Sequence, residues 1–121
     1  MTIGELSKAT GISEYTLRYY EKKGLIRVNR DSAGRRCYAD SDIAWVAFIQ
    51  RLKCTGMLLK DIKTYADLRY KGDSTMPERL AMLQTHRGYV LGQQAQWAEY
   101  LQNLDDKIEV YEAAIQKNHC L

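Results

Sequence analysis

From Leu80 to Ile115 one set of positions recurs in alternating steps of three and four: Leu80, Leu83, Arg87, Val90, Gln94, Trp97, Leu101, Leu104, Ile108, Tyr111 and Ile115. That spacing is the heptad form of the helical period, with polar breaks at Arg87 and Gln94. The only proline, Pro77, lies just ahead of it, where the first turn of a helix tolerates it, and Thr75-x-x-Glu78 reads as a capping box. A helix of about forty residues is ~60 Å long at ~1.5 Å per residue. The small domain left to the rest of the chain cannot cover a seam of that length, so the helix needs another helix. A second copy of the chain supplies one, which predicts a homodimer through a coiled coil. A hairpin within one chain, broken at Gly88 or Gly92, is the alternative.

The residues upstream divide into short elements. Thr2-x-x-Glu5 is a capping box, so a helix starts at Ile3, with Leu6 and Ala9 as its buried face. Gly11 ends it, and Ser13 caps a second helix over Glu14 to Lys23, closed by Gly24, which accepts the left-handed conformation. Two short helices across a tight turn make a helix-turn-helix candidate. Leu25 to Arg30 and Arg35 to Tyr38 then read as two short strands around the turn residues Asp31-Ser32-Ala33-Gly34. Asp40 or Ser41 caps a third helix with Trp45, Phe48, Ile49 and Leu52 as core, stopped by Gly56. A fourth, from Leu59 to about Tyr70, carries Ile62, Tyr65 and Ala66.

Charge is uneven along the chain. Residues 1–63 hold twelve Lys and Arg against seven Asp and Glu, whereas residues 64–121 hold six against eight. A basic front half favours a polyanionic partner. On the second helix Tyr15, Arg18 and Tyr19 lie three and four apart and share a face, while Leu17 points to the core. Arginine bonds guanine bidentately or clamps a phosphate, and a tyrosine hydroxyl bonds phosphate at low entropic cost. A surface helix whose aromatic residues pack on a neighbour is the plain alternative. Arg30, Arg35, Arg36 and Tyr38 on the following hairpin favour the nucleic-acid reading, because a wing beside a helix-turn-helix grips the flanking backbone.

The run I-G-E-L-S-K-A-T-G-I-S-x-x-T-L-R-Y-Y-E-K-K-G-L-I, followed by an arginine-rich wing, R-x-Y-x-x-x-D-I and G-M-x-L-x-D-I, resembles the MerR family of transcriptional regulators. The resemblance covers Met1 to about Tyr70 in detail and the long helix by architecture. It implies a mostly α fold: a winged helix-turn-helix with a small β-hairpin wing, then a long C-terminal helix forming an antiparallel coiled-coil dimer. It implies double-stranded promoter DNA as partner, with −35 and −10 elements spaced too far apart. Such regulators bend and untwist that DNA so that RNA polymerase engages both elements. The cost of that deformation is of order a few kcal/mol. By the same resemblance Thr16, Arg18 and Tyr19 fall on the recognition helix with Tyr15 beside them. Tyr20 lies near the DNA backbone, and Arg36 with Tyr38 forms the wing's phosphate-contacting pair. Val28 stands where the family usually has proline, Arg35 where it has tyrosine, and Leu58 where it has a capping Ser or Thr.

The effector is read from the thiols. Cys37, Cys54 and Cys120 are an odd set without paired spacing, which favours free thiols in a reducing compartment over a disulfide framework. Metal-sensing members pair cysteines on a loop at the end of the dimer helix. Here that region holds only Cys120 beside His119, and Met76 stands where mercury sensors begin the helix with cysteine, so neither a metal nor a cofactor is expected. Cys54 lies between two helices, with Lys53 and Lys60 near in sequence, and cations of that kind raise thiol nucleophilicity. The chain is similar to the short aldehyde- and nitrosative-stress-responsive branch of the family, whose members keep a cysteine at this corner. A small electrophile such as formaldehyde, or a nitrosating or oxidising agent, is then the expected effector at Cys54, with Lys60 assisting. The alternatives are a packed, inert Cys54 and a solvated Lys60, a metal sensor using Cys120 and His119, or a regulator without a ligand.

Taken together, the expected organisation is a winged helix-turn-helix domain over residues 1–72, a dimerisation helix over 73–118 and a tail over 119–121. No apolar run approaches the ~20 residues that cross a bilayer, and the N-terminus lacks the regions of a signal peptide. The expectation is a cytoplasmic protein without membrane contact. No nucleophile–base–acid set or phosphate loop is present, so an enzyme is not expected.

Overall fold

The computed structural model describes residues 1–119, with side chains to Asn118. Its order is α1 (Ile3–Thr10), α2 (Glu14–Lys22), β1 (Asn29–Arg30), β2 (Arg36–Cys37), α3 (Ser41–Cys54), α4 (Leu59–Lys71), a 3₁₀ turn (Asp73–Thr75) and α5 (Met76–His119). Internal packing divides the chain into two units, one spanning Met1–Met82 and one beginning at Leu83.

Local chemistry accounts for the first two helices. Thr2 Oγ1 accepts from the Glu5 amide at 3.1 Å, and Ser13 Oγ accepts from the Thr16 amide at 3.1 Å. Each such cap satisfies an otherwise orphan donor and contributes about 1 kcal/mol. Gly11 and Gly24 take φ of 73° and 75° at the helix ends, where a side chain would be strained. Leu6, Leu17 and Tyr20 are fully buried, and Leu25, Ile26, Trp45, Val46, Ile49, Leu52, Ile62, Tyr65 and Ala66 complete most of one core. Trp45 stacks on Tyr65 at 5.8 Å and donates its indole N–H to the Leu25 carbonyl at 3.1 Å. That bond fixes the chain leaving α2 against α3.

Several expectations are corrected. Ala9 is exposed, so Leu6 alone is buried on α1. Leu25 and Ile26 belong to the core rather than to a strand, and the ladder shrinks to Asn29↔Cys37 and Arg30↔Arg36. Neither Asp40 nor Ser41 caps α3; Asp42 Oδ2 instead accepts from the Ala39 amide at 2.9 Å. Thr75 does not form the capping box. It is buried, and its hydroxyl donates to the Leu68 carbonyl at 2.6 Å, tying the start of α5 to α4, while Arg79 Nε donates back to it at 3.1 Å.

The long helix runs unbroken through Gly88 and Gly92 for 44 residues, which removes the hairpin alternative. Along it Leu80, Trp97, Leu101, Leu104, Ile108, Tyr111 and Ile115 are all more than half exposed. A single copy therefore leaves the heptad seam uncovered. Among the described residues no helix is long and apolar enough to cross a membrane.

Candidate nucleic-acid interface

Helix α2 places its side chains by period. Leu17 and Tyr20 turn inward, and the opposite face presents Tyr15, 80% exposed, with Arg18 and the half-buried Tyr19. Arg18 Nη2 meets Glu14 Oε2 at 3.3 Å, an exposed i,i+4 pair that leaves the guanidinium open to other acceptors. Thr16 accepts through Oγ1 from the Ser13 hydroxyl at 2.9 Å, so its hydroxyl also stabilises the helix start. The ammonium groups of Lys23 and Lys53 lie 5.6 and 5.9 Å from the Tyr19 ring, adding positive charge around it.

The wing is pinned at both ends. At its tip Asp31 Oδ1 accepts from the amides of Ala33 and Arg35 at 2.9 Å each, and Asp31 Oδ2 meets Arg35 Nε at 3.2 Å. Gly34, at φ 77°, completes the turn. At its base Tyr38 exchanges two backbone hydrogen bonds with residue 1, at 2.6 and 2.8 Å. Arg30, Arg35 and Arg36 line an open cleft of about 380 Å³ with Thr2, Ile3 and Gly34.

One residue joins the two elements. Glu21, on the last turn of α2, accepts from Arg36 Nε at 2.6 Å and from Arg30 Nη2 at 3.2 Å. The hydrogen bond to Glu21, with its charge, holds the Arg36 guanidinium above its ordinary pKa against a smaller effect of burial. Sequence reading passed over Glu21. Its signal was spacing: it lies one turn after Arg18, in a segment otherwise rich in cations.

The other expected residues are placed as follows. Tyr20 is fully buried and donates its hydroxyl to Gln50 Oε1 at 2.9 Å. Burial raises its pKa first, and Cys54 and Tyr19 add to that. Tyr38 is 3% exposed, its hydroxyl is buried without a hydrogen-bond partner among the described residues, and burial followed by the charge of Glu21 raises its pKa. Neither ring presents a surface that DNA reaches without rearrangement. Cys54 is exposed at the end of α3, close enough to Tyr20 to act on it electrostatically. Lys53 Nζ sits 5.8 Å from the Tyr20 ring centroid, so it points at α2. Lys60 is exposed on the first turn of α4, with no hydrogen bond or ion pair to Cys54. Cys37 is exposed in the wing. No three His, Cys, Asp or Glu side chains gather into a metal-binding group among the described residues. Cys120 and the side chain of His119 lie outside them.

Comparison with known proteins bears on this geometry. Residues 1–68 match the MerR HTH family of regulatory proteins, and residues 43–114 match the family described as MerR, DNA binding. An uncharacterized HTH-type transcriptional regulator of Haemophilus influenzae is 41% identical over 114 residues, which are 93% of this chain and 84% of that protein. The HTH-type transcriptional regulator AdhR of Bacillus subtilis is 36% identical over 88 residues, covering 72% of this chain and 63% of that protein. Among solved structures, HiNmlR, a MerR family regulator lacking the sensor domain, bound to promoter DNA, superposes with a TM-score of 0.82 at 41% identity. It covers 93% of this chain and 90% of that one.

Proposed function

The chain belongs to the MerR family of helix-turn-helix regulatory proteins, and from that premise we propose that it binds and distorts promoter DNA as a homodimer under the control of a thiol-reactive effector. It is a DNA-binding transcriptional regulator, not an enzyme. Helix α2 enters the major groove with Tyr15, Thr16, Arg18 and Tyr19. The wing lays Arg30, Arg35 and Arg36 along the phosphates, and Tyr20 and Tyr38 hold these groups from behind. The observation that carries the reading is that two wing arginines, Arg30 and Arg36, are tied through Glu21 to a helix whose outer face bears Tyr15 and Arg18. HiNmlR, a relative of like length and fold, was solved on promoter DNA.

The seam of α5 is the dimer surface, covered by a second copy in an antiparallel coiled coil. The dimer sets the distance between two recognition helices, and changing that distance is what untwists the promoter for RNA polymerase. Residues 1–72 form the DNA-binding domain and 73–118 the dimerisation helix, in a protein of the cytoplasm.

Regulation enters at Cys54. The thiol is exposed and ends the helix that carries Gln50, the acceptor of the Tyr20 hydroxyl on α2. Addition of formaldehyde to the Cys54 sulfur, or its nitrosation or oxidation, changes size and polarity at the corner that holds α2 in place. A detoxification gene is the fitting target. The test is transcription in vitro from the protein's own promoter, with and without formaldehyde. Cys54→Ser should bind DNA and lose the response; an equal response in both proteins would remove Cys54 from the mechanism and leave DNA binding intact.

A further inference from the structure

Glu21 stands out because it places a negative charge inside a surface meant for a polyanion. Counted as charge alone, it opposes DNA binding. Its contacts argue otherwise. Its two carboxylate oxygens divide between the strands of the wing, one taking Arg30 of β1 and the other Arg36 of β2. A two-stranded hairpin with strands of two residues is not stable in isolation, so its position depends on such tethers. Glu21 is the tether from the recognition helix itself.

The mode of contact with Arg36 matters. Glu21 takes Nε, the inner nitrogen, and Arg36 makes no other side-chain hydrogen bond among the described residues. Its two terminal nitrogens make no hydrogen bond among the described residues, and Arg36 lines a cleft with Arg30 and Arg35. A guanidinium presents a planar fork suited to two oxygens of one phosphate. Held through Nε, that fork is oriented before DNA arrives, and the rotamer freedom of a long side chain is not lost on binding.

We propose that Glu21 is a positioning residue for DNA binding: it orients Arg36 toward a backbone phosphate and fixes the wing at a set distance from the recognition helix. The proposal rests on the DNA-binding reading above. It makes a signed prediction that charge counting reverses. Removing the carboxylate makes each protomer one unit more positive, which by electrostatics alone tightens DNA binding and steepens its salt dependence. Loss of positioning does the opposite.

The experiment measures affinity of the full-length protein for its own promoter as a function of salt, for wild type, Glu21→Gln, Glu21→Asp, Arg36→Ala and the Glu21→Gln/Arg36→Ala double variant. Glu21→Gln should bind about tenfold more weakly at ~0.1 M salt, with the slope of log K against log salt reduced by about 0.9 per protomer, the mark of one lost phosphate contact. The double variant should bind no more weakly than Arg36→Ala. Glu21→Asp keeps the charge but shortens the arm, so it too should weaken binding; it also serves if the glutamine variant does not fold. Thermal unfolding of each variant separates a loss of folded protein from a change of slope. Glu21→Gln or Glu21→Asp binding as tightly as wild type, or tighter, with an undiminished slope overturns the positioning role and leaves DNA binding intact. A wild-type protein that fails to bind its promoter overturns the reading beneath it.

Discussion

Individual side chains in this protein divide into those that face outward and those that hold the outward ones. Arg18 is of the first kind. Arg18→Ala should cost about 1–3 kcal/mol of promoter affinity if it reads a base edge, with relaxed preference at that base; unchanged affinity at physiological salt would contradict the assignment. Tyr20 and Tyr38 are of the second kind. Both hydroxyls are raised above the ordinary value of 10.0 chiefly by burial. The unfolded chain therefore loses these protons first, and between the unfolded and folded pKa values the folded state binds more protons. Stability must fall as pH rises above about 10. Tyr20→Phe and Tyr38→Phe should each flatten that alkaline decline, followed by chemical denaturation at pH 8 to 11. Tyr20→Phe also leaves Gln50 without its donor, so it should lower stability at neutral pH, whereas Tyr38→Phe removes an unpartnered hydroxyl and should not.

At the scale of elements, α2 is short and depends on its ends. Ser13→Ala removes the cap and should lower stability by about 1 kcal/mol. Gly24→Ala forces a side chain into the left-handed region at φ 75° and should cost about 1–2 kcal/mol. The methyl also meets the Lys63 side chain at 2.9 Å, but that chain end is flexible and its displacement adds little. Gly34→Ala in the wing tip meets open space but the same backbone strain at φ 77°, so thermal unfolding should show a loss similar to that of Gly24→Ala. The caps at Thr2 and Ser13 and the stops at Gly11 and Gly24 were legible because each involves residues within four positions of one another. The Thr75 capping box was a false signal for the same reason. The local pattern was present, but the Leu68 carbonyl, supplied by packing against α4, took the hydroxyl.

The whole molecule is defined by the seam it leaves open. Seven large apolar residues from Leu80 to Ile115, each more than half exposed, are costly to a lone chain and favourable to a pair. The protein should sediment as a dimer, at twice its 14.0 kDa, at micromolar concentration. Leu101→Glu with Leu104→Glu places four like charges across the dimer seam and should shift it to monomer, with loss of affinity for a two-half-site promoter. A wild-type protein that remains monomeric would dismiss the coiled coil.

Periodicity and turn chemistry by themselves determined the helices, the heptad pattern of α5, most of the core from Leu6 to Ala66, and the basic, aromatic face of α2, whereas the structure decided that α5 is unbroken. These follow from forces between near neighbours in sequence, and a period of 3.6 is visible in the letters. Only the tertiary structure decided that Tyr20 and Tyr38 are buried, that Ala9 is not, and that Glu21 grips Arg30 and Arg36. Tyr20 is settled by Gln50, thirty residues away, and Arg36 by a carboxylate fifteen residues away. Nothing local distinguishes an exposed tyrosine such as Tyr15 from a buried one such as Tyr20: both lie on the same short helix, and the difference is which surface α3 and the wing bring against them.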